Sequence, residues 1–98
     1  MADVLDDRQI HQAMSEHPHW ESRDGALMRS VHAPDFIGGI RLVDEVAVVA
    51  EGLNHHPDID IRWTTVTFHL STHSEGGVTK HDVELAGRID EIVDRLFG

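Results

Sequence analysis

Residues 54–73 read NHHPDIDIRWTTVTFHLSTH, and a change of phase inside this stretch decides the fold. Ile59, Ile61 and Trp63 alternate on odd positions, whereas Val66, Phe68 and Leu70 alternate on even ones. Successive side chains of a strand point to opposite faces, so one continuous strand cannot bury both sets. A turn or bulge at about Trp63–Thr65 must divide the stretch into two strands of a hairpin. Pro57 sets its beginning, because the residue before a proline is pushed out of the helical region. Glu75-Gly76-Gly77 breaks it.

Upstream, Pro34-Asp35 is a helix start signal, and Leu42, Val46, Val49 and Leu53 recur on one side of a helix that should end near Asn54. Before it, Trp20 to His32 holds the pair Asp24-Gly25, which accepts the positive φ angles of a tight hairpin turn. Leu27, Val31 and Ala33 would share one face of the second strand there, with Arg29 interrupting the pattern. Asp6 to Glu16 reads as a short first helix capped by Asp6, with Ile10, Ala13 and Met14 at helical spacing. Downstream, Thr79 caps a last helix whose stripe is Leu85, Ala86, Ile89, Ile92, Val93 and Leu96.

The order α-β-β-α-β-β-α predicts an α+β fold, with a four-stranded antiparallel sheet carrying three helices on one face, because connections this short cannot make parallel crossovers. Residues 1–98 show no repeat and no Pro/Gly-rich linker, so one domain is expected. The sheet's other face and its edges are left partly bare, and joining of copies into a homodimer or homotetramer is expected there.

Composition removes several classes of function. Eighteen acidic residues against eight Lys plus Arg give a formal net charge of −10. The basic residues, Arg8, Arg23, Arg29, Arg41, Arg62, Lys80, Arg88 and Arg95, form no run, so direct nucleic-acid binding is not expected. The chain has no cysteine, which excludes disulfides, thiol catalysis and Cys-based zinc sites. MADVLDDRQI is acidic and lacks the apolar core of a signal peptide, and no stretch approaches the apolar length of a membrane span. A cytosolic protein with no membrane association is expected.

What remains is the set of histidines. His55 and His56 lie where the second helix gives way to the third strand. His73 follows the fourth strand, whose far end lies beside the start of the third in a hairpin, so His73 should return to the neighbourhood of His55 and His56. His69 alternates with Phe68 and Leu70 and should point to the other side of the sheet. Three readings stand beside one another. The histidines are surface or capping groups of a His-rich chain, or they bind a metal, or they transfer protons. Adjacent histidines rarely bind one ion together and no H-E-x-x-H occurs, which disfavours the metal. Imidazole suits proton transfer near neutral pH without a nucleophile or cofactor.

The run Glu51-x-x-Asn54-His55-His56-Pro57-Asp58, followed by Trp63, Leu70-Ser71-Thr72-His73 and Gly76-Gly77-x-Thr79-x-x-Asp82-x-x-Leu85-Ala86, resembles the pterin-4a-carbinolamine dehydratases. The resemblance is dense over residues 50–89 and looser before them, where Trp20, Asp24-Gly25 and Phe36 match similar features. It implies dehydration of a 4a-hydroxytetrahydropterin to the quinonoid dihydropterin, a recycling step after aromatic amino acid hydroxylation, with no metal or organic cofactor. It also implies His55 and His73 as acid-base groups, His56 as a third site histidine that mainly holds the pterin, and Asp82 as a site residue. Asp82 reads equally as the acidic member of a capping box with Thr79. Trp63, where the family often has tyrosine, reads as core or hairpin packing or as a wall against the pterin. Glu51 reads as surface or flanking support. The family resemblance also extends to non-enzymatic partner proteins, so a dimerisation or assembly cofactor for another protein is the alternative function.

Overall fold

A computed structural model describes residues 2–98. Helix α1 spans Asp7–Glu16, strands β1 Glu21–Arg23 and β2 Ala26–His32, helix α2 Phe36–Leu53, strands β3 Asp58–Arg62 and β4 Thr65–Leu70, and helix α3 Lys80–Phe97. The expected α+β order is therefore observed, with one additional turn of 3-10 helix at His73–Glu75. The sheet is antiparallel throughout in the order β1-β2-β4-β3. Both hairpins turn where expected. Asp24 and Gly25 have φ of 52° and 76°, the paired positive values that a two-residue loop with mirror-image twist demands. At the second turn Trp63 takes φ 54° between the paired residues Arg62 and Thr65.

The phase change read from sequence orients the sheet. Leu27, Val66, Phe68 and Leu70 are fully buried on the face that α2 and α3 cover, joined by Leu42, Val46, Leu85 and Ile89 from the helices. Each such side chain is worth about 1.5–3 kcal/mol of burial. Gly39 allows the close approach of α2 to the sheet: a Cβ there would stand 3.3 Å from Val66 Cγ2. Arg29, which interrupts the apolar pattern, shares the inward phase and is neutralised rather than turned out. Its guanidinium pairs with Asp90 of α3, which also accepts from Trp20 Nε1 at 2.7 Å and faces His17 Nδ1 at 3.6 Å. A buried cation on a strand is tolerated when its carboxylate partner comes with it.

The helix ends follow capping chemistry. Asp6 and Gln9 form a reciprocal capping box at α1, and the Asp35 carboxylate accepts from Gly38 N at 2.6 Å at α2. Helix α2 stops because Asn54 enters the left-handed region, φ 51°, so the chain turns sharply just before His55. Between α2 and α3, the Arg95 guanidinium bonds Glu45 and holds its carboxyl below the usual carboxylate range. Among the described residues no helix is long and apolar enough to cross a membrane.

The uncovered face of the sheet carries the opposite phase. Its rows are Met28, His69 and Asp58, then Ser30, Thr67 and Asp60, then His32, Thr65 and Arg62. Ser30 and Thr67 hydroxyls hydrogen-bond at 2.8 Å, and Thr65 Oγ1 meets His32 Nδ1 at 3.0 Å. This face is polar, and His69 stands at one end of it between Met28 and Asp58.

Candidate active site

Asn54 ends α2, Pro57 starts β3, and the two intervening histidines diverge. His55 turns toward the start of α3, where its Nε2 lies 2.5 Å from Asp82 Oδ1. Its side chain is 15% exposed, and that of Asp82 is fully buried. The other Asp82 oxygen accepts from Thr79 N at 2.8 Å and from Thr72 Oγ1 at 2.8 Å. Asp82 is therefore a capping-box member and the partner of an imidazole at once: one oxygen caps the helix and the other receives His55. With a carboxylate as partner, His55 Nε2 carries the hydrogen, which leaves Nδ1 as the ring's lone-pair nitrogen. A second histidine, His81, packs its ring against His55 with centroids 5.9 Å apart.

His56 takes the opposite direction. Its Nε2 bonds the Glu51 carboxylate, and both side chains are exposed. Glu51 thus supports His56 from the last turns of α2, five residues upstream.

His73 comes back to the start of β3, as an antiparallel hairpin requires. Its Nε2 stands 4.0 Å from Asp58 Oδ2, and Asp58 in turn sits opposite His69 in the ladder. His73, His69, Asp58, Ser71 and Met28 line an open cavity of about 590 Å³ on the uncovered face, bordered by the β1–β2 turn at Asp24 and Gly25. The rings of His55 and His56 are outside this lining, because Asp82 and Glu51 hold them. The two groups are nonetheless joined. Thr72, immediately before His73, is hydrogen-bonded to the carboxylate that holds His55.

The match to known proteins settles what kind of chain this is. The family model described as pterin 4 alpha carbinolamine dehydratase matches residues 3–92. The chain belongs to the pterin-4a-carbinolamine dehydratase family. A curated protein of Mycobacterium sp. (strain KMS), which carries that dehydratase's name provisionally, is 58% identical over 92 residues, covering 94% of this chain and 98% of the relative. A Nocardia farcinica protein named in the same way is 51% identical over 90 residues, covering 92% and 95%. Among solved structures, a transcriptional coactivator/pterin dehydratase from Brucella melitensis superposes with a TM-score of 0.89 at 30% identity, covering 92% of this chain and 98% of that one. A pterin dehydratase-like protein described as a RuBisCO assembly factor in the alpha-carboxysome shares the fold, with a TM-score of 0.62 at 20% identity over 78% of this chain and 92% of that one.

Against the dehydratase motif, Trp63 stands apart. It occupies the turn between β3 and β4 with 81% of its surface exposed, so the expectation that it packs in the core or the hairpin is corrected. From Asp58 to Trp63 is roughly 16 Å of strand at about 3.3 Å per residue, so the indole lies at the far end of the hairpin from the histidines. Sequence reasoning missed three neighbours of the site. Asp58 and His69 were legible in principle from strand parity, which sets both on the uncovered face. His81 had no such signal, because its contact with His55 is made by the approach of α3 to the end of α2. Among the described residues no three His, Cys, Asp or Glu side chains are grouped to hold a metal ion.

Proposed function

We propose that the protein, acting as one domain, dehydrates a 4a-hydroxytetrahydropterin to the quinonoid dihydropterin by histidine acid-base chemistry, as a step in tetrahydropterin recycling. The observation that carries this reading is the pairing of His55 with the buried carboxylate of Asp82 beside a histidine-lined cavity, in a chain of the dehydratase family. In this reading the pterin lies in the cavity against His73 and reaches past its lining toward His55, so that the 4a hydroxyl faces His73 and N5 faces His55. Protonated His73 gives a proton to the 4a hydroxyl as the C4a–O bond breaks, and the oxygen leaves as water with the bonding pair. The N5 lone pair closes the C4a=N5 double bond, and the N5 proton passes to His55 Nδ1. One proton is given and one taken, so exchange with solvent restores both rings.

Asp82 supports the roles of its partner by fixing the tautomer and by facing the imidazolium that forms, the arrangement that makes a carboxylate-held histidine an effective base. His56, steadied by Glu51, is suited to holding the pterin rather than to the chemistry. General acid-base help of this kind is worth about 10²–10⁴ in rate, which is sufficient for a carbinolamine that already loses water unaided.

The test is direct: freshly generated 4a-hydroxytetrahydropterin is mixed with the protein and the ultraviolet change to the quinonoid product is followed. Wild type should accelerate it, and His55→Ala and His73→Ala should each lose most of the acceleration. A second reading, a binding partner for another protein, is supported by the exposed Ile37 and Val48 on α2 and by the coactivator description of the Brucella melitensis relative. A wild type that accelerates nothing moves that reading ahead. Association into a homodimer or homotetramer fits either function.

A further inference from the structure

His69 lies outside the family motif, yet it shares the cavity with His73. Strand parity explains how. Phe68 and Leu70 enter the core, so His69 points to the uncovered face, where its register partners are Met28 on β2 and Asp58 on β3. Cross-strand neighbours in such a ladder hold their Cβ atoms about 4.5–5.5 Å apart. The half-buried imidazole therefore forms part of the cavity floor, with a thioether on one side and a carboxylate on the other.

The nitrogens of this ring are available. His55, His56 and His32 are each hydrogen-bonded to a side chain, whereas among the described residues the His69 ring carries no such bond. A neutral imidazole presents one donor and one acceptor in the ring plane. A reduced pterin needs that combination, since its edge alternates N–H groups with a carbonyl and ring nitrogens, while Met28 offers the apolar surface that a flat bicycle rests on. Acid and base duties at C4a and N5 already have their groups in His73 and His55.

We infer that His69 is a substrate-contacting residue that holds the pterin ring in the cavity and governs binding, not proton transfer. The inference rests on the pterin reading above. Two variants separate the possibilities: His69→Leu keeps bulk and removes both nitrogens, and His69→Gln keeps a donor and an acceptor. Steady-state dehydration is measured beside equilibrium binding of 7,8-dihydropterin, an unreactive analogue followed by its fluorescence. The ring nitrogens of His69 are also followed in wild type by long-range ¹H–¹⁵N spectra as dihydropterin is added, a measurement that needs no variant to fold.

His69→Leu should raise KM and the dihydropterin Kd together by about three- to tenfold, the range of one lost hydrogen bond, with kcat within about twofold. His69→Gln should recover most of the loss, and the wild-type ring signals should move saturably. A His69→Leu protein with unchanged KM and Kd, a loss confined to kcat, or ring signals that stay still would overturn the inference while leaving the dehydratase reading standing. Dihydropterin binding that depends on His69 in a protein without turnover would remove the dehydratase reading and keep the pterin-binding residue. A wild type that neither binds nor turns over pterin overturns both.

Discussion

Replacing Asp82 by asparagine keeps the side-chain shape and changes one hydrogen-bonding edge. The carboxylate uses Oδ2 for Thr79 N and Thr72 Oγ1, both at 2.8 Å, and Oδ1 for His55 Nε2 at 2.5 Å. Asparagine has one carbonyl oxygen, and the two donors at the helix start claim it. Its NH₂ group then faces His55 Nε2–H, donor against donor, unless the imidazole moves its hydrogen to Nδ1. The expected outcome of Asp82→Asn is thus a His55 of the opposite tautomer, with no lone pair at Nδ1 to receive the N5 proton. A wrong tautomer can cost as much as about 10⁴ in kcat when an imidazole is the sole base. Here the carbinolamine loses water readily, and a fall of about 10² is expected.

The stability cost is separate and smaller. At His55 a charge-assisted bond of about 1.5–3 kcal/mol is exchanged for a neutral one of about 0.5–1.5, so urea denaturation should show a net loss of at least about 1–2 kcal/mol, to which the weakened bonds from Thr79 N and Thr72 Oγ1 add. Asp82→Ala also strips the cap and should cost about 3 kcal/mol or more. The assay is the dehydration rate, with ¹⁵N spectra of His55 reporting the tautomer. Wild-type turnover in Asp82→Asn with the hydrogen still on Nε2 would show that Asp82 does not set the tautomer on which the base depends.

Three further outcomes are expected elsewhere in the molecule. Asp90→Ala leaves the Arg29 guanidinium, 10% exposed, without its carboxylate and Trp20 Nε1 without an acceptor; a loss of about 3–5 kcal/mol should appear in the urea midpoint. The depressed carboxyl of Glu45 stabilises the fold above its unfolded titration range, and this contribution disappears as pH falls through the folded value. Glu45→Gln should therefore be less stable than wild type at about pH 7, with the difference shrinking as the solution is acidified below the ordinary carboxylate range, compared by thermal melts. Trp63→Gly relieves a positive φ and exposes no core, so it should be neutral or stabilising by up to about 1 kcal/mol; a melting temperature several degrees lower would show that the indole is buried by something.

Much of this structure is written locally in the sequence. The opposite phases of Ile59-Ile61 and Val66-Phe68-Leu70, the Asp24-Gly25 turn and the caps at Asp6, Asp35 and Thr79 depend on neighbours within a few residues, and each is found where the pattern sets it. Arg29 was legible as an anomaly but not as a pair, because Asp90 is 61 residues away and its alignment depends on how α3 crosses the sheet. The site divides in the same way. His73 near the start of β3 follows from hairpin geometry, and Glu51 near His56 follows from a helix ending at Asn54. That Asp82 takes His55 depends on the packing of α3, and neither residue type nor spacing could choose among three imidazoles. Trp63 shows the reverse error: its parity with Ile59 and Ile61 suggests a shared face, but the turn interrupts the strand before that parity applies.

In the proposed mechanism His55 and His73 act together on one substrate. The most direct measurement of this is stopped-flow formation of the quinonoid dihydropterin from 4a-hydroxytetrahydropterin in buffer, with wild type, with each of His55→Ala and His73→Ala, and with the double variant. Groups acting on one transition state are strongly non-additive. The double variant should therefore be about as slow as the slower single variant, with wild type well above all three. A wild-type rate equal to that of buffer alone, or single losses that simply multiply, would show that the two histidines do not act together on the pterin.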